Sequence, residues 1–126
     1  MSVHGIGVDV LNVERMAEIV ARRGDAFLRR VFTPDEIAYC LRHKNPAPSL
    51  SARFSAKEAV IKALGVGWQP GMRWTDMEVL RAPNGKPSLM LHGATGEIAR
   101  RMGIERTHLS LTHESDRAMA FVVLEG

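Results

Sequence analysis

The chain has a single cysteine, Cys40, among 126 residues. An intrachain disulfide is therefore excluded, and no Cys/His spacing around Cys40 suits zinc. A reducing cytoplasm is the expected home. Long apolar runs are missing too. The longest, Ala118 to Leu124, is too short to cross a bilayer, and Met1-Ser2-Val3-His4-Gly5 places no basic region ahead of an apolar stretch. Neither secretion nor membrane insertion is expected. Aromatics make up only 6% of the chain, with one tyrosine, which leaves no aromatic-rich strand for stacking bases and weighs against nucleic acid. No repeat, low-complexity tract or linker divides the sequence, so residues 1–126 read as one domain.

What is present is ordinary for a folded globular chain: 45% hydrophobic and 25% charged residues. Seventeen Lys+Arg against fourteen Asp+Glu leave a net charge of +3. That balance suits an anionic partner without selecting among a phosphate ligand, an acidic protein and nucleic acid. A chain this short has little area for a deep private cleft, so an active site would be shallow or shared between subunits.

Residues 3–11 alternate as a strand, with His4, Ile6, Val8 and Val10 on one face and Gly5, Gly7 and Asp9 on the other. The glycines leave the second face nearly bare, so another backbone or a ligand can come close, with Asp9 at the end of the cleared strip. Asn12 is an N-cap candidate for a helix over 13–23 that Gly24 ends, followed by a short amphipathic piece from Asp25 to Val31. Thr33-Pro34-Asp35-Glu36 forms a capping box for a helix running to about His43. Asn45-Pro46-Ala47-Pro48 breaks it, and Ser49 or Ser51 would cap a helix that stops at Gly65. A strand over 74–82, a turn at Pro83-Asn84-Gly85-Lys86 and a partner strand from Ser88 to His92 come next. A helix over 94–102 and strands over 107–113 and 117–125 complete an α+β pattern, a mostly antiparallel sheet with one long helix against it.

The long helix is the most informative stretch. Ala52, Ala56, Ala59, Val60 and Ala63 form one stripe whose small side chains allow close approach to a sheet. Ser51, Ser55, Glu58 and Lys62 lie opposite. Glu58 and Lys62 stand one turn apart in the favourable order between Phe54 and Ile61, on a surface that is partly apolar. An exposed stabilising ion pair is the plain reading. The functional one needs a second carboxylate, which Asp9 supplies, and two acids suffice for Mg²⁺, whose shell water and substrate phosphates complete. Lys57, off this face toward Arg53, takes a structural or general electrostatic role. Gly5-Ile6-Gly7 lacks the third glycine of a dinucleotide fingerprint, because position 10 is Val10. There is no Gly-x-Ser-x-Gly elbow for a Ser/His/Asp hydrolase. His113 closes its strand where it can reach a ligand at the sheet edge. Arg15, Arg22, Arg23, Arg29 and Arg30 make the first helical region basic, either as a solvated face or as a docking surface for an acidic protein.

Taken in order, Gly5-Ile6-Gly7-Val8-Asp9, Phe32-Thr33-Pro34-Asp35-Glu36, Ala52 to Ala59 with Lys62-Ala63-Leu64-Gly65, Asn84-Gly85-Lys86-Pro87 and His108 to His113 resemble the holo-[acyl-carrier-protein] synthases, the small bacterial 4′-phosphopantetheinyl transferases. The likeness spans nearly the whole chain. It implies transfer of phosphopantetheine from coenzyme A to a serine of an apo acyl carrier protein, free or as a synthase domain, in fatty acid biosynthesis. Asp9 and Glu58 would hold Mg²⁺, and Glu58, directly or through a water held by the metal, would be the base. Lys62 would meet the phosphates and help stabilise the leaving group. His113 would contact a coenzyme A phosphate, with Asn84, Gly85 and Lys86 beside the nucleotide. Arg15 and Arg22 would meet acidic residues of the carrier. Relatives of this length resemble trimers with the site at the subunit interface. Ser55 stands where alanine is frequent, and the loop Gly65 to Gly71, with Trp68, looks longer than in many relatives. The alternatives are a non-catalytic nucleotide or nucleic-acid binding module and a carrier-binding module without activity.

Overall fold

The computed structural model describes residues 1–126. Strand β1 (Val3–Asn12) leads into helix α1 (Val13–Val31), then α2 (Pro34–Leu41) and the long α3 (Ala47–Leu64). A 3-10 turn at Trp74–Asp76 precedes the hairpin of β2 (Met77–Arg81) and β3 (Pro87–Leu91). Helix α4 (Gly93–Arg101) and the hairpin of β4 (Arg106–Glu114) and β5 (Arg117–Glu125) close the chain. All strand pairing is antiparallel, in a three-stranded sheet ordered β1-β5-β4 and a two-stranded sheet β2-β3. The expected sheet is thus two sheets, joined where Thr107 Oγ1 donates to Leu89 O.

The cleared face of β1 receives the backbone of α3. A Cβ at Gly5 would sit 1.9 Å from Ala63 O, and one at Gly7 1.9 Å from Ala59 O. Only glycine permits that approach, and the alanine stripe of α3 meets it with Ala56, Ala59 and Ala63 buried. Ala120, Val122 and Leu124 of β5 join the same core, with Met77 and Val79 from β2. A second core of Met16, Leu28, Phe32 and Leu50 lies between α1, α2 and α3. The other face of β1 is exposed: Ile6, Val8 and Val10 stand in solvent beside Met119 and Phe121 of β5.

The expected end of the first helix at Gly24 holds, since α1 is two helical segments that meet at Gly24, whose φ of 61° and ψ of −144° are not helical, but other local expectations change. Helix α2 ends at Leu41, short of His43. Helix α3 begins at Ala47 directly after Pro46 with no side-chain cap from Ser49 or Ser51, because Pro48 fits a first helical turn whose N–H groups have no partner anyway. Asn45 Oδ1 accepts the Ala47 N–H instead. Ser51 and Ser55 are fully buried with unpartnered hydroxyls, not on an open face. The strand placed at 74–82 starts at Met77, because Asp76 accepts the Arg73 N–H and the Thr95 hydroxyl and turns the chain first. Gly65 does end α3 in the left-handed region, at φ 73°.

Sequence patterning does not show the buried ion pair that joins three elements. Lys57 Nζ donates to Glu36 Oε1 at 2.8 Å, and both side chains are 0% exposed. Lys57 also donates to Trp74 O and Met77 O. Glu36 closes the capping box on the Thr33 N–H and accepts the Val79 N–H at 3.0 Å. One buried carboxylate therefore serves α2, α3 and β2 together.

Candidate active site

Asp9 ends the glycine strip on β1, where α3 passes. Lys62 Nζ donates to Asp9 Oδ1 at 3.0 Å and to Val8 O at 3.1 Å. Lys62 is 54% exposed and Asp9 14%, so the lysine reaches across an open surface toward a sheltered carboxylate. Glu58, one turn earlier on α3, is half-buried. Burial and then the Asp9 carboxylate push its pKa above the ordinary range, while Lys62 pulls it down. A half-buried carboxylate whose ionisation a second carboxylate opposes, with one exposed lysine held on that second acid, forms a site that a cation relieves.

The donor set fits Mg²⁺ and not a closed protein cage. No group of three or more His, Cys, Asp or Glu side chains gathers anywhere. Two carboxylates with water and a phosphate ligand is the arrangement this ion accepts, whereas zinc or calcium asks for more protein ligands.

His113 lies elsewhere. On β4 it pairs with Ala118, while Asp9 on β1 pairs with Ala120, so β5 separates them across the sheet. His113 lines a hollow of ≈ 460 Å³ with Tyr39, Arg53, Arg81, Asn45 and Thr112, and no carboxylate lines it. Arg53 and Lys62 are nine residues apart, which at 100° per residue puts them on opposite sides of α3. The structure thus brings Asp9, Glu58 and Lys62 together and places His113 on the other flank. Asn84, Gly85 and Lys86 form the β2–β3 turn on that second flank, where Arg81 Nη1 donates to Gly85 O. Arg15 and Arg22 are exposed on α1 and make no ion pair.

Sequence reasoning missed the centre of the second flank. Tyr39 is held between Arg53, 4.4 Å from the ring centroid, and Arg81, 5.1 Å from it. Arg53 is 2% exposed, donates from Nη1 to Ser49 O and Oγ, and leaves a buried Nε without a partner. Guanidiniums with no carboxylate nearby and a free buried donor make an anion site. The signal available in the sequence was Arg53 between Ala52 and Phe54, a cation set beside the alanine stripe.

Residues 5–122 match the model of the 4′-phosphopantetheinyl transferase superfamily. The chain is 46% identical over 122 residues to a holo-[acyl-carrier-protein] synthase of Solibacter usitatus, covering 97% of this chain and 98% of the relative. A similar protein of Koribacter versatilis is 44% identical over 121 residues, covering 96% of this chain and 97% of the relative. Among solved structures, the holo-[acyl-carrier-protein] synthase of Neisseria meningitidis superposes with a TM-score of 0.89 at 32% identity, covering 99% of this chain and 100% of that one. The Helicobacter pylori synthase in complex with coenzyme A superposes with a TM-score of 0.83 at 30% identity, covering 95% and 99%. By sequence and by fold together, the chain belongs to the holo-[acyl-carrier-protein] synthases of the 4′-phosphopantetheinyl transferase superfamily.

Proposed function

We infer that the chain transfers the 4′-phosphopantetheinyl group of coenzyme A to a serine hydroxyl of an apo acyl carrier protein. The serine oxygen forms a bond to the phosphorus that carries pantetheine. The bond from that phosphorus to the bridging oxygen breaks, and adenosine 3′,5′-bisphosphate leaves. The observation that carries this reading is the convergence of Asp9, Glu58 and Lys62 on the cleared strip of β1, in a chain of this family.

Asp9 and Glu58 would hold Mg²⁺, which when bound neutralises charge on phosphoryl oxygens. Glu58, raised above the ordinary carboxylate range, accepts the serine proton, because a base works best when its pKa lies nearer the working pH. Lys62 is exposed enough to exchange its contact with Asp9 for the leaving phosphate and to stabilise the charge that develops there. Arg53, Arg81 and His113 take a further phosphate of coenzyme A in the acid-free hollow, with the Asn84–Lys86 turn beside the nucleotide. Arg15 and Arg22 receive acidic residues of the carrier.

The two flanks are separated within one chain, so the site is completed by a second copy. The exposed apolar face of Ile6, Val8, Val10, Met119 and Phe121 is the surface through which copies join, and a closed homotrimer gives three equivalent sites. The compartment is the cytoplasm. No helix is long and apolar enough to cross a membrane.

The test is to incubate the protein with coenzyme A, Mg²⁺ and an apo acyl carrier protein and weigh the carrier. A gain of one phosphopantetheinyl group on its serine is the expected outcome. A carrier of unchanged mass, across several carriers, refutes the reading.

A further inference from the structure

Ser51 and Ser55 take no part in the transfer chemistry, yet both are wholly buried and neither hydroxyl has a partner. A helical serine that turns inward commonly returns its hydroxyl to the carbonyl one turn earlier. Neither does so here, and alanine would fill the same positions without burying a polar atom. A buried hydroxyl left without a bond costs free energy that a partner would recover.

The packing of β1 on α3 shows which partner lies within reach. Ser51, Ser55, Ala59 and Ala63 form a single row along α3, each about one turn from the next. Strand β1 runs along that row, with Gly5 against Ala63 O and Gly7 against Ala59 O. Two strand residues advance about 6.7 Å and four helical residues about 6 Å, so the match continues down the row. It sets Asp9 beside Ser55 and Leu11 beside Ser51. Leu11 does pack on the core that holds Leu50, the neighbour of Ser51. Side chains alternate along a strand, so Asp9 faces α3 as Gly5 and Gly7 do.

The Asp9 side chain takes its one hydrogen bond from Lys62. In the transfer reaction above, that lysine leaves Asp9 for the phosphate. The carboxylate then loses the only group that fixes its orientation, at the step where it is needed to hold an ion. The Ser55 hydroxyl has no competing bond, and rotation from one staggered well to another redirects it.

We propose that Ser55 is a positioning residue whose hydroxyl donates to one oxygen of the Asp9 carboxylate, replacing the bond that Lys62 gives up and leaving the other oxygen for the divalent ion. Carboxylates in metal sites are commonly fixed by such outer hydrogen bonds. This rests on the transfer reading above and adds to it a hydroxyl from inside the small-residue row of α3.

Ser55→Ala tests it, with Ser51→Ala as the comparison. Each keeps the helix and removes one unpartnered buried hydroxyl, so both should melt at or above the temperature of the parent chain. Calorimetric titration with Mn²⁺, which suits the same oxygen ligands as Mg²⁺, should give a Kd raised about tenfold in Ser55→Ala and within about twofold of the parent in Ser51→Ala. In the transfer assay, the Mg²⁺ concentration for half-maximal rate should rise by about the same factor in Ser55→Ala, with both substrate KM values at saturating Mg²⁺ within about twofold. Equal Mn²⁺ affinity in Ser55→Ala and the parent overturns the proposal, as does a parent chain that binds no Mn²⁺. A loss shared equally by Ser51→Ala overturns it too, since the row would then act through the packing of β1. So does a Ser55→Ala chain that melts well below the parent, since the hydroxyl would then have a structural partner. The titration uses neither coenzyme A nor carrier, which keeps the two readings apart. Weakened Mn²⁺ binding in Ser55→Ala, with no transfer by the parent, refutes the function and leaves the role of Ser55 standing.

Discussion

Asp9 and Glu58 differ from most surface carboxylates in having each other as neighbours. Burial and then Asp9 raise the pKa of Glu58, and the cation that opposes them is a lysine that is itself exposed. Replacing either by alanine would remove one of the two carboxylates proposed to hold Mg²⁺ without touching the core. Transfer should fall by about 10²-fold or more while circular dichroism and melting temperature stay near those of the parent chain. Lys62→Ala should lower kcat by about tenfold to 10²-fold and leave the carrier KM close to its starting value, as expected for a group that acts on the leaving phosphate. A rise confined to carrier KM would move Lys62 into the docking surface instead. These three residues were legible in the sequence because Glu58 and Lys62 share one helix face and Asp9 follows alternating glycines. Tyr39, Arg53 and Arg81 were not. They come from α2, α3 and β2 and meet only after folding, and an arginine in a helix reads by default as solvated.

Helix α3 depends on two contacts of different kinds. Its approach to β1 is set by missing side chains, so Gly7→Ala, which would put a methyl 1.9 Å from Ala59 O, should cost at least about 3 kcal/mol, the upper end of ordinary overpacking. Chemical denaturation measures it, and a loss under about 1 kcal/mol would mean the strand and helix move apart freely. The second contact is the buried Lys57–Glu36 pair. Lys57→Met leaves the buried Glu36 carboxyl without its partner and should cost about 3–5 kcal/mol, whereas Lys57→Met with Glu36→Gln should recover most of that loss. Patterning showed the alanine stripe and the capping box. It did not show that Lys57 is fully buried, since a lysine beside a stripe edge looks like any other boundary residue. Nor did it show that Glu36 serves both the cap and the pair.

Glu78 adds a pH dependence at the same junction of α2 and β2. Burial raises its pKa, but the hydrogen bonds from Thr33 and His92, with the charge on His92 and Lys57, outweigh burial and hold it below the ordinary 4.5. The unfolded chain therefore binds the proton more readily. The stabilising contribution is present above pH 4.5 and is lost as the pH falls through the lower folded value. Glu78→Ala should be less stable than the parent at neutral pH, and the gap should narrow in acid below pH 4.5. A gap that is constant with pH would mean that Glu78 contributes by packing alone.

At the scale of the molecule, shortness and positive charge take on specific meaning. The carboxylate–lysine group and the arginine–histidine hollow lie on opposite sides of α3, and the apolar face of β1 and β5 faces water beside neither a helix nor a second sheet. Phe121→Glu on that face should reduce assembly, read by light scattering after size exclusion, and reduce transfer with it. The order of elements and the antiparallel pairing were legible from turn signals and alternation. A site shared between copies was expected from the shortness of the chain and from the resemblance, but which residues leave on which side of α3 was not legible, because nothing in a linear pattern fixes that relative to the sheet.

The most direct test of a transfer site shared between copies is complementation. Glu58→Ala damages one flank, and a chain carrying His113→Ala with Arg81→Ala damages the other. Each preparation alone should modify little carrier. Chains co-assembled in equal amounts should recover up to about a quarter of the parent rate, the fraction of subunit contacts that pair two intact flanks in random mixing. Mixed assemblies, verified by native mass spectrometry, that stay as inactive as their parents would contradict the shared site and return catalysis to a single chain.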